Sequence, residues 1–133
     1  MNAQLASMLT VRQVMTADFL TAEPSDTLGE TAEKMARADV GSALVVDAGR
    51  LIGILTSRDL VRALAGRTHS SEARVREWMT SDPRVARPDT PAGEAALIMM
   101  EEGCHHLPVV ENDRPVGVVG MRAVVSETFE PVM

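Results

Sequence analysis

The sequence predicts a mixed α/β (α+β) fold made of two copies of one β-α-β-β-α unit, and three observations carry that prediction. First, residues recur at a fixed offset of 79 − 15 = 64 positions: Val11-Arg12-Gln13-Val14-Met15-Thr16 returns as Val75-Arg76-Glu77-Trp78-Met79-Thr80. The register runs without a gap from Val11 to Val61, pairing Pro24 with Pro88, Gly29 with Gly93, Met35 with Met99, Gly53 with Gly117 and Arg58 with Arg122. Unbroken matching of this kind marks an internal duplication. Second, each copy alternates a stretch of helical periodicity with two short apolar runs bounded by turn residues. Third, the chain of 133 residues is 45% hydrophobic and 24% charged. A globule of that size buries about two thirds of the surface its unfolded chain exposes, enough for a real core.

The elements follow in order. The first ten residues read as a short helix or a loose arm. An extended piece, Phe19 to Ala22 in the first copy and Arg84 to Ala86 in the second, stops at Pro24 or Pro88, because the residue before proline resists helix. A helix follows, with Thr27 and Glu30 at capping-box spacing in the first copy. In the second, Thr90 precedes Pro91, expected at the first helical position. Leu28, Ala32, Met35 and Ala36 are expected on one apolar face, and Ala92, Ala96, Met99 and Met100 on its counterpart. Two apolar runs then flank Asp47-Ala48-Gly49-Arg50, and two more flank Glu111-Asn112-Asp113-Arg114, as in hairpins. A closing helix runs from Arg58 to Ala65 before Gly66, and from Met121 to about Glu127. Each copy then carries a three-stranded sheet whose open face needs covering, and the other copy's sheet is the nearest candidate. Residues 67–74 form a polar linker in which His69 is read as solvated.

Composition bounds the function. A net charge of −6 and a pI near 5.0 disfavour a broad surface for a phosphate backbone. Aromatic residues are 2% of the chain, too few for the stacking platforms of single-strand binders. No nucleic-acid partner is expected. The single Cys104 cannot form an internal disulfide and fits a reducing compartment. No run approaches membrane-spanning length. A cytoplasmic location without membrane attachment is therefore the expectation. No Ser-His-Asp order, metal-ligand spacing or usual phosphate loop is present, so no catalysis and no required cofactor are expected.

The stretch Gly53-Ile54-Leu55-Thr56-Ser57-Arg58-Asp59-Leu60 carries the chemistry. A strand that turns directly into a helix aims backbone N–H groups at one spot, which favours phosphate. Thr56 and Ser57 can cap the helix or donate to a ligand there. Asp59 can accept from a ribose diol, or it can serve the cap alone. His105 and His106 open a strand in the second copy; adjacent strand residues point to opposite faces, so joint ligation of one metal ion is disfavoured. One histidine in the core with one at the surface, and a pair facing phosphate, both fit. Cys104 reads as a small, largely apolar residue, since no third group would complete a nucleophilic site.

The order of elements, Gly-x-x-Thr-x-Arg-Asp in the first copy and His-His-Leu-Pro-Val-Val in the second resemble a CBS domain pair, or Bateman module. The resemblance covers roughly 9–128, with domains at 9–66 and 75–128 joined by the linker 67–74. It implies that the copies pack sheet to sheet about a pseudo-twofold axis and bind AMP, ADP, ATP or S-adenosylmethionine in a cleft between them. It further implies a homodimer that signals to an effector protein. Carried over residue by residue, Thr56 becomes a phosphate-contacting hydroxyl and Asp59 the ribose acceptor, flanked by Ser57 and Arg58. Backbone near Thr80, Pro83 and Arg84 would face the base. His105, His106 and Arg122 would reach the phosphates. At the equivalent second position Gly120 replaces Thr56 and Ala123 replaces Asp59, so one ligand per chain is expected. The alternative is a protein-protein interaction or oligomerisation module with a vestigial cleft.

Overall fold

In the computed structural model, which describes residues 9–128, the elements in chain order are α1 (Val11–Val14), β1 (Thr21–Ala22), α2 (Leu28–Ala38), β2 (Ser42–Asp47), β3 (Arg50–Thr56), α3 (Ser57–Ala65), α4 (Val75–Trp78), β4 (Thr80–Ser81), α5 (Ala92–Glu102), β5 (His106–Glu111), β6 (Arg114–Gly120) and α6 (Met121–Thr128). The reading of an N-terminal helix or arm falls mostly outside the described residues. The first copy shows the expected β-α-β-β-α order, whereas in the second the opening strand expected at Arg84 to Ala86 is reduced to a single bridge between Ala86 and Val109, and the compact units are cut differently from the repeat. One unit is Phe19–Pro83; the other joins the segment ending at Asp18 to the chain from Arg84 onward.

In the first unit the sheet order is β1-β2-β3-β4. β1 lies parallel to β2, and the other neighbours are antiparallel. The β2-β3 hairpin turns at Ala48 and Gly49, with φ of 52° and 80°. Two positive φ values give the turn whose twist matches that of the flanking strands. The Thr27 hydroxyl caps α2, accepting from the Glu30 amide at 3.1 Å. The buried stripe of α2 is Leu28, Thr31 and Met35, while Ala36, expected on that face, is exposed. One residue is a rotation of about 100°, which carries position 36 off the stripe that Met35 closes.

In the second unit β5 and β6 form the matching hairpin, turning at Asn112 and Asp113 with φ of 54° and 65°. Single bridges extend it on both sides: Ala86 parallel to Val109, and Thr16 antiparallel to Val118. Ala92, Ala95, Ala96, Ile98 and Met99 are the buried residues of α5. Met100 is 66% exposed rather than packed, by the same one-residue rotation as Ala36. Pro91 takes the cap position with ψ of 139°, and Ala92 opens the helix. Its extended backbone and missing N–H suit the residue outside the first turn, one place earlier than expected.

What the sequence reading missed is an exchange. The opening segment of each repeat completes the unit built on the other. Val11 and Arg12 donate to the Thr90 and Pro88 carbonyls at 2.8 and 3.0 Å, and Thr16 donates to Val118 at 2.8 Å. Correspondingly, Val75 and Arg76 donate to Asp26 and Pro24 at 2.8 and 3.0 Å, and β4 adds a fourth strand beside β3. Two glycines make room. A Cβ on Gly53 would stand 2.6 Å from Met79 Sδ and 2.9 Å from the Thr80 carbonyl; one on Gly117 would stand 2.6 Å from Met15 Sδ and 3.0 Å from the Thr16 carbonyl. Val75 lies in the first core with Leu28, Met35 and Leu55. Val11 lies in the second with Met99, Leu107 and Val119. Each exchanged valine is fully buried, which stabilises its unit by about 1.5–3 kcal/mol.

Candidate functional site

The turn from β3 into α3 is a reciprocal capping box. The Thr56 amide donates to Asp59 Oδ2 at 2.8 Å, and the Thr56 hydroxyl donates to the same oxygen at 3.1 Å. The Asp59 amide returns a longer bond, 3.4 Å, to Thr56 Oγ1. The next amide, of Ser57, donates to the Gly41 carbonyl at 3.0 Å. Asp59 is only 6% exposed. Its other oxygen, Oδ1, faces Arg62 Nη1 at 4.0 Å, beyond hydrogen-bond distance. Capping, one of the two roles that sequence allows these residues, is therefore realised. Ser57 and Arg58 are exposed on the first turn of α3. Thr80, also exposed, pairs with Ile54 just short of Thr56, and Pro83 is half-buried at the end of the same unit.

The remaining candidate residues belong to the second unit. His105 is exposed, and its carbonyl accepts from the Met121 amide at 2.9 Å, tying it to the start of α6. His106 pairs with Gly120 across the hairpin and is half-buried. Burial, and secondarily the neighbouring His105, pushes its ring below the ordinary value of 6.5. Arg122 is exposed in the first turn of α6. Arg84 is engaged: its Nη1 lies 2.7 Å from Glu101 and 3.5 Å from Glu102 at the end of α5. The bond to Glu101 leads the effects that hold its guanidinium in the charged form.

Cys104 packs at the edge of the second core, and burial raises its thiol above the ordinary range. Exposed His69 lies in the linker, its carbonyl accepting from Glu72 and Ala73. Among the described residues no group of three His, Cys, Asp or Glu is placed to hold a metal ion. Surface cavities of about 350 and 310 Å³ lie beside the two hairpin turns, the first lined by Glu23, Asp26 and Lys34, the second by Arg12, Arg87 and Asp89. Neither is lined by a predicted ligand residue.

Sequence reasoning missed Glu101, Glu102 and Arg62. The helix spacing of Asp59 and Arg62 was a usable signal. The Arg84 pairs, at separations of 17 and 18 residues, left none.

The residue-level pattern and the doubled fold agree with the comparison to known families, in which the CBS domain matches residues 11–66 and again 75–130. The chain belongs to the CBS-domain family. As a CBS pair it is 34% identical over 114 residues to a 17.7 kDa protein of Acidianus ambivalens, covering 84% of this chain and 68% of that one. It is 29% identical over 114 residues to the CBS domain-containing protein YhcV of Bacillus subtilis, covering 86% and 81%. Among solved structures it resembles the CBS domain pair of protein MJ0100 in complex with 5′-methylthioadenosine and S-adenosyl-L-methionine, with a TM-score of 0.82, 27% identity, and 89% and 94% of the two chains covered. No described helix of this CBS pair is long and apolar enough to cross a membrane.

Proposed function

We propose that this CBS pair is a regulatory module that binds an adenosine-containing ligand, with Asp59 accepting from the ribose hydroxyls. The observation that carries the reading is the asymmetry between the two strand-to-helix turns. Thr56 and Asp59 form a complete box with one carboxylate oxygen outside hydrogen-bond distance of its protein neighbour. The equivalent positions, 56 + 64 and 59 + 64, hold Gly120 and Ala123. The complex of MJ0100 with two adenosine compounds supports the ligand class. His105, His106 and Arg122 are the second repeat's proposed contributions, as the family resemblance implies, with the Thr80–Arg84 backbone at the base. One ligand per chain follows, and no catalytic step is assigned.

Regulation would be a linkage effect: a ligand that binds two arrangements of the module unequally shifts their populations, and an effector protein reads the shift. Thermal unfolding of the full chain with adenosine, 5′-methylthioadenosine, S-adenosylmethionine, AMP and ATP tests the ligand class. A compound at about a hundred times its dissociation constant adds about 2.7 kcal/mol of stability. No stabilisation by any of them overturns the reading.

A second reading, association through helices, has its own observation. Val61 and Leu64 on α3 are 64% and 68% exposed, and Leu97 and Met100 on α5 are 58% and 66% exposed. Large apolar side chains on exposed helix faces favour association. We assign them to a homodimer in the cytoplasm, tested by sedimentation of the wild type against a Leu64→Lys, Met100→Lys variant. A monomeric wild type overturns that assignment.

A further inference from the structure

We propose that copies of this chain associate through unlike helices: α3 of one copy packs antiparallel on α5 of a second copy. The proposal rests on the association reading above and names its two faces.

Among the described residues, the large apolar side chains exposed on helices are Val61 and Leu64 on α3, Leu97 and Met100 on α5, and Val125 on α6. Only α3 and α5 carry a pair, three residues apart, which makes a stripe along one face. The two pairs are not equivalent in the repeat. At an offset of 64, the positions of Leu97, Met100 and Glu101 hold Glu33, Ala36 and Arg37 on α2, and those of Arg62 and Leu64 hold Ser126 and Thr128 on α6. Each repeat has therefore kept one apolar helix face, and a different one.

The charges beside the two stripes are opposite. Exposed Arg58 and Arg62 flank the stripe of α3, whose one acid, Asp59, is buried and 4.0 Å from Arg62. Exposed Glu94 and Glu101 flank the stripe of α5, with Glu102 at the helix end. Arg84 binds Glu101 through Oε2 and Glu102 at 3.5 Å; one guanidinium against three carboxylates leaves that flank acidic. Two α3 faces would set arginine against arginine, and two α5 faces glutamate against glutamate. Like-charge juxtaposition selects against both.

Helix geometry gives the orientation. At about 100° per residue, Arg58 and Arg62 lie to the same rotational side of their stripe as Glu94 and Glu101 do of theirs. Facing helices bring such flanks together only when they run antiparallel. With Val61 opposite Met100 and Leu64 opposite Leu97, Glu101 stands level with position 60, about 3 Å along the axis from both Arg58 and Arg62. In a twofold dimer the contact occurs twice.

Sedimentation of the full chain tests the proposal with the wild type, Arg62→Glu, Glu101→Arg, and an equimolar mixture of the two variants. Each variant alone is expected to associate at least about threefold more weakly than the wild type. The mixture, which restores opposite charges across the contact, is expected to recover the wild-type affinity. Tighter association of Arg62→Glu alone means that α3 meets α3, and tighter association of Glu101→Arg alone that α5 meets α5. A mixture no tighter than its components means that these flanks do not face each other. Each of those three results overturns the proposal and leaves the association reading standing, whereas a monomeric wild type overturns both. In a Cys104→Ser background, mild oxidation of Leu64→Cys chains mixed with Leu97→Cys chains is expected to trap a linked pair faster than Leu64→Cys with Met100→Cys. An equal or reversed order overturns the antiparallel register.

Discussion

Replacing Asp59 with Ala should separate the two jobs that one carboxylate performs. In the free protein its Oδ2 accepts from the Thr56 amide at 2.8 Å and the Thr56 hydroxyl at 3.1 Å, at the N-terminus of α3. Loss of the side-chain bonds of a helix cap costs about 0.5–2 kcal/mol, and loss of an anion in the first turn adds about 0.3–1 kcal/mol. With Asp59 only 6% exposed, solvent cannot fully replace its bonds, so about 2 kcal/mol is expected. Urea unfolding followed by the fluorescence of Trp78 is the assay, because that tryptophan packs against the core of the same unit. The midpoint should fall with little change in slope. Asp59→Asn keeps a side-chain oxygen for the cap and should recover most of the stability, yet it weakens the charge-assisted bond to a ribose hydroxyl. An unchanged midpoint in Asp59→Ala would refute the capping energetics. A full loss in both variants would show that charge, rather than the oxygen's position, holds the turn.

Gly53→Ala should cost about 1–3 kcal/mol, since the new Cβ falls 2.9 Å from the Thr80 carbonyl as well as 2.6 Å from Met79 Sδ, and overpacking against backbone relaxes poorly; chemical denaturation checks it, and a neutral result would argue against β4 lying on β3. His106 has a folded value below its unfolded 6.5, so its contribution is full above that range and is lost as pH falls through 6.5, where the unfolded chain binds the extra proton. Thermal unfolding between about pH 7.5 and 5.5 should show this acid loss shrink in His106→Gln; an equal pH dependence in both proteins would exclude His106 as its source. A Gly120→Thr, Ala123→Asp variant has room, since a Cβ at 120 meets only the His105 carbonyl at 3.7 Å and His106 Cδ2 at 4.0 Å. It should gain about 1 kcal/mol from the new cap and raise the calorimetric stoichiometry above one ligand per chain. Unchanged stoichiometry would mean that those two positions are not what disables the second turn.

Much of the fold was legible because it repeats. The offset that pairs Met15 with Met79 and Gly53 with Gly117 fixes two β-α-β-β-α copies, and helix and hairpin positions follow from apolar spacing and turn residues. The exchange of α1 and α4 was not legible, although its parts were in view. Gly53 and Met79 touch in one unit, Gly117 and Met15 in the other, and periodicity within a copy says nothing about which unit its opening segment joins. Ala36 and Met100 were misplaced because an apolar residue one step beyond a buried stripe looks like part of it. At the candidate site, spacing identified Thr56 and Asp59 but not the direction of their hydrogen bonds. Arg84 entered through the family resemblance, for its backbone, and its side-chain pairing with Glu101 and Glu102 exists only after α5 returns beside it.

A crystal structure of the full chain grown with 5′-methylthioadenosine tests the central claim most directly. The account predicts one nucleoside per chain, with a ribose hydroxyl within hydrogen-bond distance of Asp59 Oδ1 and the Thr56–Asp59 box intact. A nucleoside seated instead beside Gly120 and Ala123, with the Asp59 turn empty, would contradict it.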